Sequence, residues 1–152
     1  MKYWLLKSEP DVFSIDDLYD CKDHTEPWDG IRNYQARNFM RDEMDINDQC
    51  FFYHSNCKSP GIVGIMTVVS NAYPDKTQFD KKSKYFDPKS KPEKPTWLNV
   101  DVKFKKKLNL VSLEIMKNHA ALKDLLILRK GNRLSITPII KSHWDYIIKL
   151  SK

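Results

Sequence analysis

The sequence predicts an α+β fold: a small mixed sheet that curls toward a barrel, open or closed, with helices packed around it. Three observations carry this. At least four segments have the composition of strands. Segments with helical character are inserted among them. The two kinds do not alternate regularly, as the repeating strand–helix units of a doubly wound parallel sheet would. No repeat and no composition break divides the chain. Its 152 residues, 41% apolar and 12% aromatic, therefore read as one domain, 1–152, with enough apolar surface for a real core.

Lys2 to Lys7 opens the chain as a strand, because Tyr3, Trp4, Leu5 and Leu6 form the unbroken apolar run of a strand covered on both faces. Ser8-Glu9-Pro10 ends it. Ser14 caps a short helix through Leu18, with Asp16 and Asp17 at its positive end. Cys21 to Gly30 is polar, carries Pro27 and Gly30, and reads as a loop. Asn33 caps a helix over Tyr34 to Met44, where Ala36, Phe39, Met40 and Glu43 leave a narrow apolar stripe. Cys50 to His54 and Ile62 to Val69 are strands whose short connection predicts that they pair. Tyr73-Pro74-Asp75 is a turn. Lys81 to Pro95 is rich in lysine, carries Pro88, Pro92 and Pro95, and reads as a mobile surface loop. From Trp97 to Lys107, Leu98, Val100, Val102 and Phe104 alternate with Asn99, Asp101, Lys103 and Lys105, the pattern of a half-buried strand. Ser112 caps Leu113 to Asn118. Leu125 to Leu128 is an apolar piece of open type, and Arg133 to Ile136 a brief strand. Thr137-Pro138 then has the cap and first-turn proline of a helix start, with Ile139, Ile140, His143, Ile147 and Leu150 on one side.

Composition excludes several classes. The longest apolar run, Gly61 to Val69, is about half the ~20 residues of a membrane helix. Met1 to Lys7 has a charge again at position 7, unlike a secretory leader, so the expected address is cytoplasmic. Three cysteines, Cys21, Cys50 and Cys57, form no paired framework and read as free thiols. Cys21-x-x-His24 is half a zinc site without a second close pair. No metal or other cofactor is expected. The net charge of +6 suits a polyanionic partner without requiring one. Its distribution is uneven: lysines crowd 76 to 107, and acids crowd 11 to 29 and 41 to 48.

The stretch Trp28-Asp29-Gly30-Ile31-Arg32-Asn33-Tyr34-Gln35-Ala36-Arg37-Asn38 is the most informative. It sets two large rings among amides and guanidiniums. A nucleobase needs both an aromatic face to stack on and polar groups at its edge. Trp4-Leu5-Leu6-Lys7-Ser8-Glu9-Pro10, this stretch, Phe52-Tyr53-His54-Ser55-Asn56 with Gly61-Ile62-Val63-Gly64, Ala72-Tyr73-Pro74-Asp75, Trp97, and Arg133-Leu134-Ser135-Ile136 with Pro138 together resemble the EVE domain family, in order and over essentially the whole chain. The resemblance implies a PUA-like fold related to YTH domains, which read methylated adenine in RNA. It also implies binding of a modified base, often a cytosine derivative in DNA, in a pocket with an aromatic wall.

On that basis Trp28 and Tyr34 are candidates to stack a base, with either ring alternatively a core residue. Trp97 either closes the aromatic wall or anchors the barrel. Ser8, Asn33, His54, Ser55 and Asn56 are candidates to read the base edge, although Asn56 is also a natural turn residue and His54 a natural structural one. Arg32, Arg37, Arg41, Lys105 and Arg133 are candidates for phosphate. Surface pairing of the arginines with Asp42, Asp45 or Asp48, and a lysine-guarded strand, are the plain alternatives. The expected partner is nucleic acid and not a membrane; oligomeric state is not legible. The other functional class is an RNA- or nucleotide-modifying enzyme or hydrolase working through His54. His54-Ser55 adjacency argues against a dyad, because neighbours on a strand face opposite ways, and no nucleophile elbow or phosphate loop is present.

Overall fold

The strands are β1 (Tyr3–Ser8), β2 (Thr25–Pro27), β3 (Gln49–His54), β4 (Gly61–Val68), β5 (Tyr73–Pro74), β6 (Leu98–Asn99), β7 (Asp101–Ser112) and β8 (Ile136–Ile139). The α-helices are α1 (Ile15–Asp20), α2 (Tyr34–Asn38), α3 (Leu113–Lys117) and α4 (Lys141–Leu150). The computed structural model describes all residues, 1–152.

Six strands form one sheet in the order β2-β7-β4-β3-β1-β8. β1 and β3 are parallel, with Trp4 opposite Cys50 and Ser8 opposite His54. Every other pairing in the sheet is antiparallel. β2 and β8 are free edges, so the sheet curls without closing into a barrel. Two register shifts in the β4–β7 pairing supply part of that bend.

The apolar run of β1 is buried because both faces of the sheet are covered. Trp4 and Leu6 join Cys50, Phe52, Met66 and Val102 on the face packed by α1 and α2. Leu5 joins Phe51, Tyr53, Ile62 and Val111 on the face packed by α3 and α4. There Trp144 of α4 stacks on Phe51, ring centroids 3.8 Å apart and planes 16° apart. Such a pair adds about 0.5–1.5 kcal/mol beyond its buried area. The amino end of β1 is held by the buried Asp48, which accepts from Trp4 Nε1 at 3.0 Å and from the Lys2 N–H at 2.9 Å.

The sequence expectations differ from the structure at several points, among them Tyr73-Pro74, which pairs as β5 with β6 where a turn is expected, and the strand expected from Arg133, which starts only at Ile136. Within the expected loop 21–30, Thr25 to Pro27 add to the sheet as an edge strand opposite Asp101 to Lys103, a place where proline's missing N–H is tolerated. The helix from Tyr34 is α-helical only to Asn38 and continues as a π-turn, Phe39–Glu43. Thr137-Pro138 does not open a helix: both lie in β8, with Pro138 opposite Trp4 on the sheet edge, and the helix starts at Lys141. Thr137 and Pro138 are residue types of a helix start, but proline is equally allowed in an edge strand, and the burial of Ile136 and Ile139 decides for the strand. Finally, the lysine-rich loop is firmly fastened. The side chain of Gln78 donates to the Asp75 and Trp97 carbonyls at 2.6 and 2.7 Å and accepts from the Trp97 N–H at 2.9 Å. Ser90 Oγ also donates to Gln78 Oε1.

Candidate functional site

β1 and β3 run in the same direction, so Ser8-Glu9 and Ser55-Asn56 leave the sheet side by side. Backbone hydrogen bonds join these exits. The Ser55 N–H donates to the Ser8 carbonyl at 3.0 Å, and the Lys7 N–H to the Ser135 carbonyl at 2.9 Å. A cavity of about 500 Å³ opens at this place, lined also by Phe13, Trp28, Gly30, Arg32 and Tyr85. That volume suits one small planar ligand.

Trp28 is 6% exposed and stands edge-on to Phe52, centroids 5.3 Å apart and planes at 85°. The backbone N–H of Trp28 donates to the Val100 carbonyl at 2.8 Å, which fixes the cavity segment against the sheet. Gly30 adopts φ +79°, and a Cβ there would lie 2.7 Å from the Tyr85 ring. Only glycine lets that ring pack on the backbone. The Gly30 N–H donates to Asp75 Oδ2 at 2.8 Å. Arg32 also binds Asp75, Nη1 to Oδ2 at 3.0 Å, and donates to the Tyr85 carbonyl from Nε and Nη2 at 3.0 and 2.7 Å. Asp75 is fully buried. Burial alone raises a carboxyl pKa, but hydrogen bonds from Thr77, Gly30 and Arg32 outweigh it and hold Asp75 below the ordinary range. Arg32 and Asp75 thus clamp the loop over the cavity.

The charged groups of the cavity are of both signs. Lys7 is half-buried, and that burial pulls its ammonium below the usual lysine range. Asp29 has a raised pKa, first from partial desolvation and then from the carboxylates of Asp75 and Glu26. Glu9 accepts from Asn56 Nδ2, with Asn56 held in the left-handed region at φ +51°.

Of the residues singled out from sequence, the cavity brings together Ser8, Trp28, Arg32, Ser55 and Asn56. The others lie elsewhere, each for a visible reason. Asn33 caps α2, its Oδ1 accepting from the Ala36 N–H at 2.9 Å. Tyr34 projects outward, 61% exposed, and rests against Trp97. Trp97 is buried outside the cavity, with Nε1 donating to Asp87 Oδ2 at 2.7 Å. His54 Nε2 accepts from the Ile15 N–H at 3.1 Å and so serves α1. Arg37 donates to the Thr96 carbonyl at 3.0 Å, and Arg41 pairs with its neighbour Asp42 at 2.8 Å. Lys105 Nζ donates to Gln49 Oε1 at 3.0 Å on β7. Arg133 is exposed near Ser135, the cavity residue two positions on. Ser8 itself donates to the Phe13 carbonyl at 2.6 Å, so its hydroxyl can still accept.

Sequence reasoning passed over Lys7, Asp29, Tyr85 and Ser135. Lys7 carried a signal: a lysine closing an otherwise buried strand. Tyr85 carried a weaker one, a ring inside a lysine-rich loop. Ser135 had none beyond its place in a motif. No three His, Cys, Asp or Glu side chains converge as a metal site. Cys21 contacts Glu26, and its thiol is pushed up to about 11, first by burial and then by that carboxylate.

Thymocyte nuclear protein 1 of mouse (Mus musculus) is 43% identical over an alignment of 168 positions that covers 99% of this chain and 74% of that protein. A crystal structure of the human THYN1 protein in complex with DNA containing 5-methylcytosine superposes with a TM-score of 0.94 at 42% identity, covering 100% of this chain and 98% of that one. A protein from Pseudomonas syringae superposes equally well, TM-score 0.94 at 45% identity, with 99% of each chain covered. These neighbours place the open, curled sheet among PUA-like folds. Residues 2–150 match the EVE domain profile, and the chain belongs to the EVE domain family.

Proposed function

We propose that this chain binds nucleic acid carrying a modified base, a modified cytosine in DNA foremost, and holds that base in the cavity at the ends of β1 and β3. The observation that carries the reading is the whole-chain likeness to the human protein whose structure is in complex with 5-methylcytosine DNA. The cavity supports it chemically. Trp28 and Tyr85 offer apolar and aromatic surface. Asp29 is an acceptor for an exocyclic amino group, and Lys7, Ser55 and Ser135 are donors for a ring nitrogen and a carbonyl. Base stacking contributes about 1–3 kcal/mol and extrusion from a duplex costs a few, so these polar contacts and the phosphates must supply the surplus.

We read the chain as a binder. His54, on which an enzymatic reading would rest, is engaged by α1 and does not line the cavity. The reading places the chain where the nucleic acid is: the cytoplasm of a cell without a nucleus, or the nucleus of one that has it, in line with the name of the mouse relative. The test is titration with matched oligonucleotides carrying 5-methylcytosine, 5-hydroxymethylcytosine or plain cytosine, as DNA and as RNA, with mass analysis of the recovered strand. Preference of at least about tenfold for a modified DNA strand, recovered chemically unchanged, is expected. Equal weak affinity for all of them defeats selectivity, and an altered strand defeats the binder reading.

A further inference from the structure

Tyr34 is the one ring of the 28–38 stretch that the cavity does not use, and its surroundings are unusual for an exposed side chain. Trp97 lies against it, centroids 4.9 Å apart and planes 32° apart. Arg37 sits 5.0 Å from its centroid, fixed in place by the Thr96 carbonyl and by Asn38. Trp97 in turn has the Arg32 guanidinium 5.5 Å from its ring, and the same guanidinium lies 5.5 Å from Tyr85. Rings and cations thus form a continuous column. It runs from Tyr34 on the surface through Trp97 and Arg32 to Tyr85 in the cavity lining. A tyrosine ring covered on both faces exposes little beyond its edge and hydroxyl. At 61% exposure, much of Tyr34 remains open to solvent beside Trp97 and the Arg37 guanidinium that lies over the ring. The ring is backed by a buried tryptophan whose indole N–H is itself anchored to Asp87, so it is a rigid platform.

We propose that Tyr34 is a second stacking surface, outside the cavity, on which the base neighbouring the captured one packs. The inference rests on the reading that the cavity takes one base of a nucleic acid. The occupant is chosen by chemistry and continuity. A flat ring with an adjacent fixed guanidinium favours a π-face beside a phosphate, and successive bases are the ligands that offer both. The column links this surface to the cavity lining through one tryptophan and one arginine, and the proposal seats on it a flanking nucleotide of the same strand.

The test compares two ligands, the free 5-methyl-2′-deoxycytidine nucleoside and an oligonucleotide carrying the same base, on the full chain. Tyr34→Ala is expected to weaken the oligonucleotide by about 5- to 150-fold, the contribution of one stacked base, and to leave nucleoside affinity unchanged. Tyr34→Trp is expected to retain oligonucleotide binding. Replacing the flanking nucleotide by an abasic residue is expected to weaken the wild type by a similar factor and to leave Tyr34→Ala unaffected. Undiminished oligonucleotide binding by Tyr34→Ala overturns the proposal, as does an equal loss for the nucleoside. In either case the wild type's preference for the modified base still reports separately on the cavity.

Discussion

The imidazole of His54 is held neutral by its position. Its Nε2 accepts the first amide of α1, and an imidazolium has no lone pair to offer there. Desolvation lowers its pKa first; Lys107 adds to the lowering, and Asp16 and Asp17 oppose it. The folded state therefore binds this proton less readily than the unfolded chain does. Its contribution is fully present above the unfolded value near 6.5 and is lost as pH falls through that value toward the lower folded one. The hydrogen bond is worth about 0.5–1.5 kcal/mol, a few degrees of Tm for a domain of this size. The wild type is expected to lose that stability as pH falls below about 6.5, and His54→Gln, whose amide oxygen accepts at any such pH, to lose less. Parallel pH dependences of Tm in the two proteins would refute it. Gly30 makes a second case. Alanine there meets both an unfavourable φ and the Tyr85 ring. Gly30→Ala is expected to cost about 1–3 kcal/mol, measured by denaturant unfolding, and to weaken binding of a modified oligonucleotide by displacing Tyr85.

Among the elements, the segment from Asp75 to Trp97 is the least regular and the most dependent on single side chains. Gln78 serves four partners: the Asp75 carbonyl, both backbone groups of Trp97, and Ser90. Gln78→Ala leaves several of these buried groups unpaired, at about 1–3 kcal/mol each for those that water cannot reach. Trypsin is expected to cut among Lys81 to Lys94 several-fold faster in this variant, while amide exchange in β3 and α4 stays as in wild type. Unchanged cleavage would mean that the loop is held by something other than this glutamine. The same segment shows what was legible in the sequence. Strands β1, β3, β4 and β7 were readable because burial leaves a two-residue or continuous apolar pattern, and α1 because Ser14 and Asp17 form a local capping box. The loop gave only prolines and lysines. Its order depends on Gln78, Asp75 and Ser90, polar residues that become buried only when distant parts of the chain meet. The site divides the same way. Ser8, Trp28, Arg32, Ser55 and Asn56 sit in contiguous motifs that strand direction brings together. Tyr34 and Asn33 belong to the same motif but turn away as the helix starts, a change of direction that spacing alone does not reveal.

For the molecule as a whole, a net charge of +6 says less about nucleic acid than the disposition of the cations does. Many are already engaged: Arg32 on Asp75, Arg37 on Thr96, Arg41 on Asp42, Lys107 on Asp16. Of the cations near the cavity, Lys84 on its lining and Arg133 beside Ser135 are exposed and outside any ion pair. Phosphate contacts release counterions, so each contact contributes about 0.9 to the slope of log affinity against log salt for duplex DNA. If these two residues carry phosphates, Lys84→Ala with Arg133→Ala lowers that slope by about 1.8. Such contacts are blind to the base, so affinity falls by the same factor for modified and plain strands. Titrations at several salt concentrations on both strands read the two quantities together. An unchanged slope with a reduced preference for the modified strand would reverse the assignment, placing Lys84 and Arg133 at the base and the phosphate contacts elsewhere on the basic surface.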